Sequence, residues 1–194
     1  MGTVDANTGD YITWRLDESD FAQVPTKIVS SASLAGLFIP QHIDGTVDID
    51  GGTYNGLDAV SAVERCMELV DDYSQVTLDI ILLDRFDKPD QWTDIETTLG
   101  NFGRKHQLKS YYSGLKNVIE VMVTYPEINY RFLMEPTGPY PVFLRLLDFS
   151  NRNTWPMQEN GREDSQTALA YGPGFGYDRL FTAIQNNKHK LAEF

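Results

Sequence analysis

Three carboxylates, Asp44, Asp48 and Asp50, fall within one short stretch, and the last is followed by Gly51-Gly52. A carboxylate serves as a general base when it comes within hydrogen-bond reach of the group it deprotonates. Two successive residues without a Cβ let the turn after Asp50 pack close to another backbone segment, which makes such an approach possible. Asp50 is therefore the candidate proton acceptor. Asp48 lies two residues earlier on the same expected strand, points to the same side, and is the alternative. Asp44-Gly45 is a two-residue hairpin signal, so Asp44 is assigned to the turn.

A base of this kind needs a nucleophile. None of the ten serines has glycine two positions before it, so the strained Gly-x-Ser-x-Gly elbow is missing from the chain. His42, His106 and His189 are dispersed, lack zinc-ligand spacing, and give no ground for a Ser-His-Asp triad. Thr46-x-Asp48-x-Asp50-Gly51 has the opening of a calcium loop, but Leu57 stands where that loop needs a bidentate Glu. Gly172-Pro173-Gly174-Phe175-Gly176 has no Lys-Ser/Thr ending and no preceding buried strand, and is read as a loop-to-helix junction, not a phosphate cradle. These spacings imply no metal and no cofactor.

The elements that must position Asp50 follow from the pattern around it. Tyr11 to Leu16 is aromatic and β-branched and reads as a strand after the turn residues Asn7 to Asp10. A helix is expected from Pro25 to about Ala35, where Gly36 and Pro40 stop it. Gln41 to Asp50 forms a tight hairpin. From Leu57 onward Val60, Val63, Met67 and Val70 recur on one helical face. Val76 to Leu83 is a nearly continuous apolar run, the pattern of a strand covered on both faces. Leu108, Tyr111, Leu115, Val118, Ile119 and Met122 have helical spacing, Val142 to Leu147 resembles a strand, and a last helix covers Tyr177 to about Lys190. Asn151 to Gly174, polar and punctuated by Gly and Pro, is expected to be a long loop. The aromatics Tyr111, Tyr112, Tyr125, Tyr130, Phe132, Tyr140 and Phe143 fall in these elements, and most are assigned to core packing, with the lining of an acyl channel as the alternative. Helices alternating with strands predict an α/β layered domain.

Within that frame, Ser30-Ser31-Ala32-Ser33-Leu34-Ala35-Gly36-Leu37-Phe38-Ile39-Pro40 passes from small residues to an apolar group ending in proline, and Asp50-Gly51-Gly52 follows ten residues later. The block resembles the patatin-like phospholipase family, in which a small-residue segment near a Phe-x-Pro leads through a short hairpin to Asp-Gly-Gly or Asp-Gly-Ala. Asp5-Ala6-Asn7-Thr8-Gly9 and the following strand resemble the segment just upstream. The resemblance is specific over residues 3 to 62 and extends to about Leu83, leaving 84 to 194 outside it. Asn55 is followed by Gly56-Leu57 where many relatives carry proline.

The resemblance implies a Ser-Asp dyad that hydrolyses acyl esters of lipids, with Asp50 as proton acceptor and Gly51 and Gly52 as its supporting motif. It also implies part of a three-layer α/β/α fold lacking the N-terminal portion with the nucleophile elbow and the Gly-rich oxyanion loop. Residues 1 to 194 are then the C-terminal portion of a patatin-like domain. On this reading the chain is a fragment or one part of a split assembly. Alone it is expected to be inactive, because the main contributors to acyl transfer lie outside it. Its partners would be the missing half of the domain, or another subunit, and a lipid or membrane-surface substrate. The alternative is an inactive remnant with a structural or interaction role.

Composition sets further bounds. Against 16 Lys and Arg stand 28 Asp and Glu, a formal charge of −12, which disfavours nucleic acid and electrostatic adhesion to anionic lipid. Any membrane contact should then be apolar and local. A single cysteine, Cys66, and a start without basic or apolar run point to a reducing, cytoplasmic setting, peripheral where membranes are met. Met1-Gly2 lacks the Ser or Thr expected at position 6 of a myristoylation signal, where Ala6 stands.

Overall fold

Asp44 and Gly45 both take positive φ, +49° and +92°, the combination a tight turn between twisted strands requires. They join β3 (Gln41–Ile43) to β4 (Thr46–Asp50), with Ile43 opposite Thr46 and Gln41 opposite Asp48. The hairpin read from the sequence is thus present, and it leaves Asp50 as the last residue of β4. A computed structural model describes the chain except residues 16, 18, 84, 86–96, 138–147 and 192–194. It is a mixed α/β protein with small sheets.

Two compact units are formed. The first comprises Met1–Arg65 and Asn117–Thr124. Here β1 (Gly2–Asp5) lies between β4 and β2 (Tyr11–Thr13), so the antiparallel order is β2-β1-β4-β3. β2 is shorter than expected, although the Trp14 amide still donates to the Met1 carbonyl at 2.7 Å. Gly9, at φ +82°, closes the turn between β1 and β2 while the Asp5 carboxylate takes the Asn7 amide and the Thr8 hydroxyl. α1 (Val24–Ser31) carries Pro25 in its first turn, where a missing N–H is harmless, and stops before Ala35. α2 (Ala59–Met67) follows the turn after β4; of the expected face, Val63 is fully buried and Val60 and Met67 half-buried, while Val70 lies beyond the end of the helix.

The second unit comprises Cys66–Lys116 and Tyr125–Phe194. β5 (Thr77–Ile81) pairs in parallel with β6 (Asn129–Met134), and among the described residues these two form the sheet. α3 (Thr98–Thr124) runs longer than its apolar spacing announced and gives its last turns to the first unit. Tyr111 is buried, but the next residue, Tyr112, is exposed and does not join the core.

Two expectations change. The strand over Val76 to Leu83 is not covered on both faces. Only Val76 and Ile80 are buried, whereas Ile81 and Leu83 are 71% and 80% exposed. An apolar run does not distinguish a doubly covered strand from one whose outer face meets water. Second, Asn151 to Gly174 is not a long loop: α4 (Asn151–Tyr171) fills it with Pro156 and Gly161 inside. The strand expected over Val142 to Leu147 lies outside the described residues, as do Tyr140 and Phe143. α5 (Phe175–Leu191) agrees with the expected last helix. The Gly172–Gly176 stretch is a junction, with the Gly174 amide on the Arg131 carbonyl at 2.9 Å and Gly176 packed on the Leu133 carbonyl, where a Cβ would collide.

Candidate active site

β4 ends where its pairing runs out. Asp50 faces Thr3 of β1, and its amide donates to the Ser33 carbonyl at 3.0 Å, tying the strand end to the segment after α1. The chain then turns through one 3-10 turn, Gly51–Thr53. Asp50 caps that turn, its Oδ1 accepting the Gly52 amide at 2.6 Å. Gly51 is buried against the Gly2 carbonyl group. A β-carbon there would lie 2.6 Å from the Gly2 carbonyl carbon, a distance atoms do not tolerate. The close backbone approach anticipated for the two glycines is therefore made by Gly51 on β1, while Gly52 supplies an N–H to the carboxylate.

The Asp50 carboxylate is half-buried and, among the described residues, no Lys or Arg pairs with it. One oxygen is fixed by Gly52, and the other receives no hydrogen bond from the described residues. Such a group has an oriented, open lone pair with which to take a proton. Its negative charge reaches Tyr11. That phenol is held above the usual tyrosine range by burial first, then by Asp58, whose carboxylate it touches at 3.2 Å, and in smaller part by Asp50.

The other two carboxylates part company with Asp50. Asp48 is fully buried, accepts the Thr3 hydroxyl at 2.7 Å, and leaves Oδ1 without a partner. Thr3 in turn accepts the Trp14 indole N–H at 2.8 Å, so Asp48 belongs to a sealed interior network. Asp44 sits in the hairpin turn and accepts the Gln23 amide at 3.0 Å. Of the three, only Asp50 combines a strand-end position with partial exposure.

No protein-family model matches the chain, and no curated protein matches it. The site is therefore argued from its own geometry.

Sequence reasoning missed the groups that hold the strand end. Ser31 donates to the Gly2 carbonyl at 2.8 Å, on the same peptide that Gly51 packs against, and Ser33 supplies the carbonyl for the Asp50 amide. Their only signal was the run of small residues from Ser30 to Ser33. Asn55 accepts the Leu57 amide at 3.2 Å and the Asn117 side-chain amide at 2.9 Å, so it anchors the path from the turn toward α2 without a proline. Among the described residues no group of three or more His, Cys, Asp or Glu gathers in a way that could hold a metal ion. His42 is exposed on β3, distant in sequence from the other two histidines.

Proposed function

We propose that this chain supplies the aspartate of a patatin-like serine lipid acyl hydrolase, with the serine carried outside residues 1 to 194. The observation that carries the reading is the Asp50 carboxylate: strand-end, half-buried, unpaired with any described cation, one oxygen pinned by Gly52 and the other open. The resemblance of residues 3 to 83 to the aspartate-bearing part of that family supplies the chemistry. Asp50 takes the serine proton as the serine oxygen attacks the ester carbonyl of a lipid. The proton then passes to the departing alcohol, leaving an acyl-enzyme. Water, deprotonated by the same carboxylate, attacks the acyl carbonyl and releases the fatty acid and the free serine. The enzyme would work at membrane surfaces from the cytoplasm, and the fold around Asp50 would be the C-terminal portion of the family's three-layer α/β/α domain.

The test starts from the coding sequence upstream of Met1. An in-frame Gly-x-Ser-x-Gly segment there, co-expressed with this chain, should give esterase activity that Asp50→Asn removes. Full activity in Asp50→Asn would overturn the dyad.

A second reading has its own observation: none of the ten serines sits in a nucleophile elbow. An inactive remnant serving as an interaction subunit accounts for that directly. Stop codons upstream, with no esterase activity in the purified assembly, would favour it.

A further inference from the structure

α1 and the segment after it are turned inside out. Lys27, Ser30 and Ser33 are buried, 4%, 0% and 2% exposed, while Ile28 and Val29 are about half exposed. Two of the three find partners inward: Lys27 donates to the Ser19 hydroxyl and lies over the Trp14 ring, and Ser33 donates to the Val29 carbonyl, while the buried Ser30 hydroxyl has none among the described residues. Beyond Ser33 six consecutive residues, Leu34-Ala35-Gly36-Leu37-Phe38-Ile39, are all exposed, Ile39 at 81%. From Ile28 to Ile43 the chain carries no Asp, Glu, Lys or Arg, although charged residues make up 23% of the whole. A segment that hides its hydroxyls and shows its leucines, phenylalanine and isoleucine is built for surroundings less polar than water.

Those surroundings fit lipid better than protein. Protein interfaces carry polar rims and regular hydrogen bonds, and no side chain from Leu34 to Ile39 can donate or accept one. Within the tip the Leu37 and Phe38 amides both donate to the Leu34 carbonyl at 3.0 Å, which lowers the number of backbone groups that entry into hydrocarbon would strip of water. A projecting tip enters a soft medium without needing a matching groove. We propose that Ile28–Ile43 is a docking element that inserts Leu37, Phe38 and Ile39 into the surface of uncharged or zwitterionic lipid. Because the Ser33 carbonyl holds the Asp50 amide, insertion brings the lipid surface to the strand end that carries Asp50. The value of that placement rests on the lipid acyl hydrolase reading; the docking itself is measured without hydrolysis.

The test is flotation of the full chain with phosphatidylcholine vesicles. Wild type should float with them, and the triple variant Leu37→Ser, Phe38→Ser, Ile39→Ser should bind at least about 100-fold more weakly, since three large apolar side chains lose their burial. Adding phosphatidylserine or raising the salt should change wild-type binding little. Asp50→Asn should float like wild type, which separates docking from the dyad. Equal binding by the triple variant overturns the proposal, as does binding that needs anionic lipid and yields to salt. So does a wild-type chain that ignores vesicles but forms an oligomer the triple variant disperses, which would make this face a contact between copies. Should the triple variant lose its helical signal, Phe38→Trp read against wild type decides: the emission it adds to that of the three native tryptophans should shift to the blue with vesicles, and an unshifted difference spectrum rejects insertion.

Discussion

Gly51 packs so closely on Gly2 that a β-carbon at position 51 would lie 2.6 Å from the Gly2 carbonyl carbon. The obstacle is backbone, itself paired in the sheet, and cannot swing aside. At Gly52 the nearest atom to an added β-carbon is Asp50 Oδ1 at 2.9 Å, the end of a side chain that can move. Gly51→Ala should therefore destabilise the fold by about 1–3 kcal/mol, the usual cost of overpacking, read as a lower midpoint in urea. Gly52→Ala should leave the midpoint nearly unchanged but displace the Asp50 carboxylate, so that any activity of the reconstituted assembly falls instead. The opposite assignment, stability lost at 52 and activity at 51, would show that the glycines do not divide the work this way.

The three carboxylates should respond differently to substitution. In an active assembly Asp50→Asn should lower turnover at least about 100-fold, the low end of a general-base contribution, with little change in folding. Asp44→Asn should be mild, since turn geometry at 44 suits asparagine as well as aspartate. Asp48→Ala leaves the sealed Thr3 hydroxyl without its acceptor and should cost about 1–3 kcal/mol of stability. Urea unfolding beside ester hydrolysis separates the three.

Local chemistry made the strand-end site legible. Asp44-Gly45 dictates a turn with two positive φ values, that turn fixes the register of β3 on β4, and the register puts Asp50 at the strand end. α2 and α3 announced themselves through apolar spacing. α4 did not, because none of its residues is buried and it has no apolar stripe to display. Its Asn, Gly and Pro content mimics a loop, and Pro156, past the first turn, cannot donate to the Arg152 carbonyl; Arg, Glu, Gln and Ala in the remainder favour the helix against that cost. The Ser31 and Ser33 contacts to β1 and β4 were hidden for another reason: they join segments whose proximity no local pattern encodes.

Across β5 and β6 the Arg131 Nε donates to Asp79 Oδ1 at 3.0 Å and a second guanidinium nitrogen meets Oδ2. The Arg131 hydrogen bonds hold the Asp79 carboxyl below the ordinary carboxylate range, with a smaller contribution from the Phe132 amide. A folded-state value below the unfolded one adds stability that is present above the unfolded pKa and is lost as pH falls through the folded one. Wild type should therefore exceed Asp79→Asn in stability near neutral pH, modestly because the pair is exposed, and the gap should close below about pH 4. Urea midpoints of both proteins across that range check the sign. A gap that widens on acidification would contradict it.

The last prediction concerns β5 as an edge. In parallel pairing each strand offers hydrogen-bonding groups to both sides, and among the described residues β5 uses one side, on β6. Ile81 and Leu83 stand exposed at its end, and Leu82 continues the pairing only toward the Met134 carbonyl, at 2.8 Å. An open edge with exposed apolar side chains is a template for association, and the formal charge of −12 opposes contact only at long range, where salt screens it. The isolated chain should therefore sediment as oligomers in physiological salt and show no hydrolysis of short-chain esters. Ile81→Lys with Leu83→Lys should shift it toward monomer, because a charge at each position must be desolvated before a second strand can pair. A wild-type chain that sediments as one monodisperse monomer and unfolds cooperatively would show that β5 needs no further strand. The expectation that neighbouring strands come from elsewhere would then give way to a self-sufficient fold.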